Sequence, residues 1–139
     1  MNAESNTSGQ AGAKVVLVGH CVPDSYMLRS AVQRAVPDAT IVMVNSSEEL
    51  DEAMQGADLL LVNRALDGYF RAGGGVELIR QLAGERRGAG SPSIMLVSDI
   101  ASAQQEAEAA GAVPGIGKKA LYADQTRERL AAGVRGTVA

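Results

Sequence analysis

Hydrophobic and polar positions along the chain form two alternating kinds of segment. Short, continuous apolar runs rich in valine, isoleucine and leucine are typical of strands buried on both faces of a sheet. We predict strands at Lys14–Gly19, Thr40–Val44, Ala57–Asn63, Ser93–Ser98 and Val113–Gly117. Segments in which apolar residues recur at helical spacing, or which carry helix caps and good helix formers, separate these runs. We predict helices at Tyr26–Val36, Ser46–Gln55, Val76–Ala83, Ala101–Ala110 and Asp124–Ala132.

The strict alternation of five strands with five helices predicts an α/β domain with a parallel sheet and helices on both of its faces. The 139 residues suit one such domain. We place it at residues 14–134. The small, polar residues 1–13 and the tail 135–139 predict a disordered lead-in and a flexible end.

Composition narrows the possible partners. The net charge of −3 gives no basic field for nucleic acid, and 3% aromatic residues offer few stacking surfaces. No apolar run is long enough to span a bilayer, and the N-terminus lacks the pattern of a signal peptide. Cys21, the single cysteine, fits a reducing compartment. We therefore expect a cytoplasmic protein that binds neither nucleic acid nor membrane.

In open parallel sheets the functional crevice lies beyond the carboxyl ends of the strands. The residues that follow the strands at this edge mix glycine, amide, hydroxyl, imidazole and cationic groups. They are Gly19, His20, Cys21, Asn63, Arg64, Ser98, Asp99, Lys118 and Lys119.

The sequence resembles the receiver domain of bacterial two-component response regulators. The resemblance runs from about Lys14 to about Val134, and its carriers keep the order and spacing of the family. They are KVVLVGHC at the first strand, ADLLLVN at the third, GVELIRQL in the third helix, SPSIMLVS at the fourth strand, and AGAVPGIGKKAL around the fifth. The resemblance implies a flavodoxin-like (βα)5 three-layer sandwich with strand order 2-1-3-4-5.

The family transfers a phosphoryl group to an aspartate at the end of the third strand, with Mg²⁺ held partly by an acid pair after the first strand. By resemblance the phosphoacceptor position is Asn63 and the acid pair is Gly19 and His20. An amide is a poor nucleophile, and glycine supplies no ligand for a hard cation. We therefore predict no catalytic residue, no Mg²⁺ site and no other cofactor.

Two further family positions are a hydroxyl after the fourth strand and a lysine after the fifth. The resemblance assigns them to Ser98 and Lys119. Lys118 is a competing alignment, because Val113-Pro114 carries one residue more than is usual here. The switch aromatic of the family, on the fifth strand, aligns with Ile116, so the aromatic is missing.

Several interpretations of this crevice remain open. Asn63 either bonds nearby backbone groups or mimics a fixed state of the site. His20 titrates near neutral pH or, less favoured for want of further ligands, joins Cys21 at a metal. The lysine is either neutralised by an acid or holds a small anion together with Ser98, Asn63 and His20; the candidate acids are Asp24, Asp67 and Asp99.

The third loop, Arg64–Gly74, is about three residues longer than in the family. Tyr69 and Phe70 within it either anchor a partner or cover the crevice. The charged run at residues 84–88 predicts a solvated turn, and Arg129 is placed to complement a helix end.

These observations favour a stand-alone pseudo-receiver, not an enzyme, that acts as a phosphorylation-independent interaction or regulatory module in signalling. By resemblance, the face for another signalling protein or a homodimer comprises Ala101–Ala110, Val113–Gly117 and Asp124–Ala132. The alternative is a sensor of a small anion or nucleotide-type ligand. Ordered anion at Ser98 and Lys119 would favour it.

Overall fold

A computed structural model describes residues 12–85 and 90–136. The predicted disorder of residues 1–11, the flexible end at residues 137–139 and most of the charged turn at residues 86–89 lie outside the described residues. The last helix continues through Arg135, slightly beyond the predicted domain boundary at residue 134.

Five parallel strands form one sheet, as predicted. They are β1 (Lys14–Val18), β2 (Thr40–Val44), β3 (Leu59–Asn63), β4 (Ser93–Val97) and β5 (Val113–Ile116). Their spatial order is β2-β1-β3-β4-β5, which confirms the order 2-1-3-4-5. All five residues of β3 are buried, consistent with its place at the centre of the sheet.

Five α-helices and one short 3₁₀ helix connect the strands. They are α1 (Val22–Ala35), α2 (Ser47–Ala53), α3 (Gly75–Gly84), α4 (Ala101–Ala110), the 3₁₀ helix (Lys118–Ala120) and α5 (Asp124–Arg135). The first helix begins at Val22, four residues before the predicted start. Pro23 lies in the first turn of this helix, where proline is tolerated because its missing N–H is not needed.

The sheet has an apolar cluster on each face, as a doubly covered sheet requires. Leu60, Val62 and Leu96 pack with α3 and α4 on one side. Leu61 and Val97 pack with α1 and α5 on the other side. Among the described residues, no helix is long and apolar enough to cross a membrane.

A bulge interrupts the pairing of β4 with β5. Met95 lies opposite Val113, whereas Val97 lies opposite Ile116, so three steps along β5 match two along β4. This accounts for the extra residue expected near Val113-Pro114. A bulge also changes which side chains face each side of a strand, and this affects the assignment of the crevice lysine.

Candidate functional site

A cleft of about 260 Å³ opens at the carboxyl edge of β3 and β4. Five of the predicted crevice positions line it together: Asn63 and Arg64 at the end of β3, Ser98 and Asp99 after β4, and Lys118 after β5. The remaining lining residues are Ala65, Val97 and Ile100. The predicted convergence of these strand ends is therefore present in the fold.

Asn63 uses its amide group to bond backbone atoms on two sides. Its Nδ2 donates to the carbonyl oxygen of Gly19 at 2.9 Å and to that of Ala65 at 2.8 Å. The residue is 8% exposed, so these two bonds satisfy both hydrogens of a buried amide. This geometry matches the interpretation that Asn63 satisfies local backbone groups.

Gly19 lies beneath the third loop. Its backbone has φ of +75°, and a Cβ added there would lie 2.7 Å from Cδ2 of Leu66. The carbonyl oxygen of Gly19 also accepts a hydrogen bond from the backbone N–H of Asp67 at 2.9 Å. Glycine is favoured at this position because the backbone conformation and the packed loop both disfavour a side chain.

The third loop, which we call the cover loop (Arg64–Gly74), extends from β3 across the end of β1 to the segment after β2. The backbone N–H of Tyr69 donates to the carbonyl oxygen of Asn45, and that of Ser47 donates to Tyr69. The guanidinium of Arg71 lies 3.1 Å from a carboxylate oxygen of Asp51. These contacts attach the loop to the start of α2 and cover the position predicted for the acid pair.

The two aromatic residues of the cover loop have different environments. Phe70 is partly buried and packs against the apolar cluster formed with α3 and α4. Tyr69 is 87% exposed. One ring therefore holds the loop on the domain, whereas the other is available to solvent.

His20 is directed into the protein, not into the cleft. It is 3% exposed, and its Nε2 lies 2.8 Å from the carbonyl oxygen of Leu61. Burial lowers the pKa of His20 from 6.5 to about 4. The expectation that His20 titrates near neutral pH is therefore wrong. Nε2 must carry the proton to donate to Leu61, and Nδ1 has no partner among the described residues.

The lysine in the cleft is Lys118, whereas the sequence-based assignment favoured Lys119. Lys118 lines the cleft, and its Nζ lies 2.7 Å from a carboxylate oxygen of Asp24. This hydrogen bond lowers the pKa of Asp24 below its usual value. Lys119 is exposed, and its backbone N–H contacts Asp99 at 3.3 Å. The geometry therefore favours the competing alignment, and Asp24 is the acid that pairs with the lysine.

Ile116, the predicted counterpart of the switch aromatic, packs in the apolar cluster with α1 and α5. If Lys118 is the counterpart of the family lysine, the same spacing moves the aromatic position back by one residue, to Gly115. The bulge in β5 accounts for the two competing alignments, because sequence spacing alone does not reveal which residue of a strand is the extra one.

Ser98 keeps the predicted place at the end of β4. Its Oγ accepts a hydrogen bond from the backbone N–H of Ile100 at 3.1 Å, and the residue lines the cleft. Sequence analysis missed its neighbour Gln104, whose amide contacts the carbonyl oxygens of Leu96, Ser98 and Ile116. A glutamine within an Ala/Glu/Gln helix carries no signal that distinguishes it from a solvent-exposed residue.

The residues at this edge do not fit a Mg²⁺ ion of the kind used by receivers. Mg²⁺ prefers carboxylate oxygens, but the three positions that would supply them are Gly19, His20 and Asn63. The carboxylate of Asp24 is bonded to Lys118. Among residues 12–85 and 90–136, no group of three or more His, Cys, Asp or Glu side chains could hold a metal ion. His20 and Cys21 therefore belong to no such group.

Comparisons with known proteins bear on the fold. Neither a protein-family model nor a curated protein matches the sequence. The signal receiver domain of a DNA-binding response regulator from Colwellia psychrerythraea 34H aligns with a TM-score of 0.70 at 12% identity, covering 88% of this chain and 98% of that one. The BeF3-activated receiver domain of Klebsiella pneumoniae RstA gives 0.69 at 21% identity, covering 88% and 98%.

The non-phosphorylated receiver domain of Escherichia coli RcsB gives a TM-score of 0.70 at 16% identity, covering 91% of this chain and 96% of that one. Each likeness extends over nearly the whole domain, and all three are to receivers. Together with the strand order β2-β1-β3-β4-β5, they identify the fold of this chain as that of a response-regulator receiver domain.

Proposed function

We propose that this chain is a stand-alone pseudo-receiver, which acts in bacterial signalling by binding another protein and without being phosphorylated. The receiver fold supports a signalling module. The residues at its carboxyl edge support a binding role in place of catalysis, because among the described residues that line the cleft no hydroxyl group is hydrogen-bonded to a side-chain base. We further propose that the protein works in the cytoplasm.

The bonding of Asn63 is the observation that carries this proposal. Both amide hydrogens of Asn63 are donated to carbonyl oxygens, one at the end of β1 and one in the cover loop. Carbonyl oxygens are hard ligands of the kind that a divalent cation takes. The neutral amide group joins the ends of β1 and β3 by hydrogen bonds, so this link requires neither a metal nor a phosphoryl group.

The cover loop adds a second obstacle to phosphorylation. A Cβ at position 19 would lie 2.7 Å from Cδ2 of Leu66 and 3.2 Å from its Cα, and φ of +75° disfavours any side chain there, so an aspartate at this position would be strained. The contacts of Tyr69 and Arg71 hold the loop against the start of α2. Loss of the acid pair and closure of its position therefore support the same conclusion.

The alternative, a sensor for a small anion, has less support. Lys118 is the cleft cation that best matches the lysine of the family, and its Nζ is paired with a carboxylate oxygen of Asp24 at 2.7 Å. The amide hydrogens of Asn63 are both in use, so neither is available to an anion. Arg64, which also lines the cleft, is the group through which an anion would have to be recruited.

The face formed by α4, β5 and α5 is our proposed surface for a partner protein or a second copy of the chain. Equilibrium sedimentation over a range of concentrations tests the homodimer, and substitutions at exposed Gln105 and Arg127 should weaken it. Loss of self-association on substitution of the exposed β2 residue Met43, with no effect at α4 and α5, would place the interface elsewhere.

Incubation with beryllofluoride or acetyl phosphate plus Mg²⁺ tests the absence of phosphorylation. Intact mass and amide chemical shifts would be followed at Asn63, Ser98 and Lys118, with a phosphorylation-competent receiver treated in parallel. We expect no added phosphoryl mass and no saturable shift. A Mg²⁺-dependent gain of mass would contradict the proposal. A saturable shift with phosphate alone and no gain of mass would favour the anion sensor.

A further inference from the structure

The side chain of Gln104 connects α4 to the ends of two strands. Its Nε2 lies 3.0 Å from the carbonyl oxygen of Leu96, 3.0 Å from that of Ser98 and 3.3 Å from that of Ile116. One amide group therefore contacts β4, the segment after it, and β5. Its Oε1 is buried and has no hydrogen-bond partner among the described residues. Gln104 therefore makes its contacts through the NH₂ group and not through the side-chain oxygen.

The strand β5 leaves room for this amide because residue 115 is glycine. A Cβ added to Gly115 would lie 2.5 Å from Oε1 of Gln104 and would also collide with the carbonyl oxygen of Leu96. The glycine lies within the bulge, where β5 gains one residue over β4. The bulge, the glycine and the glutamine thus form one packed unit.

A side chain from the opposite helix contacts the same bulge. Nη1 of Arg129, on α5, donates to the carbonyl oxygen of Gly115 at 2.7 Å. Arg129 is half-buried, which differs from the expectation that it complements a helix end in solvent. The next carbonyl oxygen, that of Ile116, accepts from the backbone N–H of Ser98 as well as from Gln104. Two successive carbonyl groups of β5 are therefore bonded from α5 and from α4.

We propose that Gln104 is a positioning residue that fixes α4 against the ends of β4 and β5, and so keeps the cleft and the face formed by α4 and β5 in a single conformation. Ser98 connects the two regions, because its carbonyl oxygen bonds Gln104 and the residue itself lines the cleft. Moving α4 away would break the contacts of Gln104 with three carbonyl oxygens at once. This proposal concerns conformation and does not depend on whether the chain is phosphorylated.

The test replaces Gln104 with methionine, which has a similar length and shape but no N–H groups. Gln104→Ala, which cannot overfill the space, is a second variant. Gln33→Met is the matched control, because Gln33 is an exposed residue of α1 and lies outside the face formed by α4, β5 and α5. Amide relaxation dispersion and hydrogen exchange would be measured on each protein.

We expect wild type and Gln33→Met to show no millisecond exchange at Ser98 and Ile116. Gln104→Met and Gln104→Ala should gain it there, and the amide of Ser98 should exchange about tenfold faster or more, while amides of β1 keep their protection. Millisecond exchange at these residues in wild type would contradict the proposal that the cleft and the face formed by α4 and β5 have a single conformation. Variants that match wild type, or that lose protection equally across the sheet, would overturn the positioning role.

Discussion

Replacing Asn63 with aspartate restores the reactive residue of a receiver but should destabilise this protein. The amide nitrogen lies 2.9 Å from the carbonyl oxygen of Gly19 and 2.8 Å from that of Ala65. A carboxylate in the same place brings an acceptor against two acceptors, at a position only 8% exposed. Two hydrogen bonds contribute about 1 kcal/mol each, and an unpaired buried charge adds a further cost, so we expect a loss of about 2–4 kcal/mol at neutral pH.

The size of the effect should depend on pH in a defined direction. Burial beside carbonyl oxygens raises the pKa of a carboxyl group, so the folded Asn63→Asp protein retains a proton that the unfolded chain releases. Its stability relative to wild type should therefore improve as the pH falls through the folded pKa, since the protonated carboxyl donates one hydrogen bond. It should worsen as the pH rises.

Urea unfolding of wild type, Asn63→Asp and Asn63→Ala at matched pH values provides the measurement. Asn63→Ala removes the same hydrogen bonds without adding a charge, so we expect a smaller loss with no such pH dependence. Asp24→Asn, combined with Asn63→Asp, frees Lys118 to pair with the new carboxylate and should recover part of the loss. Asn63→Asp with wild-type stability at neutral pH, or with a deficit independent of pH, would refute this reasoning.

Three further predictions follow from the site. Because the pKa of His20 is lowered from 6.5 to about 4, wild type should lose stability as the pH falls through this interval, and His20→Gln should reduce that loss by up to roughly 3 kcal/mol in urea unfolding. Gly19→Ala should lower the free energy of unfolding more than Gly56→Ala, since both glycines have φ near +75° but only a Cβ at position 19 contacts Leu66. Equal losses of about 1 kcal/mol would contradict the inference that the cover loop packs against position 19. Arg71→Ala breaks an exposed ion pair with Asp51 and should cost less than about 1 kcal/mol, an effect that salt should diminish.

The sequence was sufficient to predict the sheet, because β-branched runs buried on both faces have few alternative structures, whereas the strand order was implied by the resemblance to receiver domains. The capping position Ser46 was also readable, and its Oγ accepts from the backbone N–H of Glu49 at 3.1 Å. The start of the first helix at Val22 could not be predicted, because proline is compatible both with a turn and with the first turn of a helix.

The site was predicted less completely, and the reasons are geometric. The residues at the strand ends were identified, but a bulge in β5 decided between Lys118 and Lys119. The inward orientation of His20 depends on the loop and strands around it, which a single sequence does not reveal. Gln104 and Leu66 act through backbone atoms of distant segments, and no short-range pattern in the sequence indicates such contacts.

The attachment of the cover loop also determines the order in which parts of the domain can form and open. Its partners lie after β1, after β2 and on α2, so the loop cannot settle until these segments have assembled. Its apolar side chains Leu66, Phe70 and Ala72 are only partly buried, whereas the central strand is wholly buried. We therefore expect the loop to have lower local stability than the sheet and to open without unfolding it. Exposure of the position around Gly19 would then follow an opening equilibrium, which the exchange rates of the Asp67 and Tyr69 amides report directly.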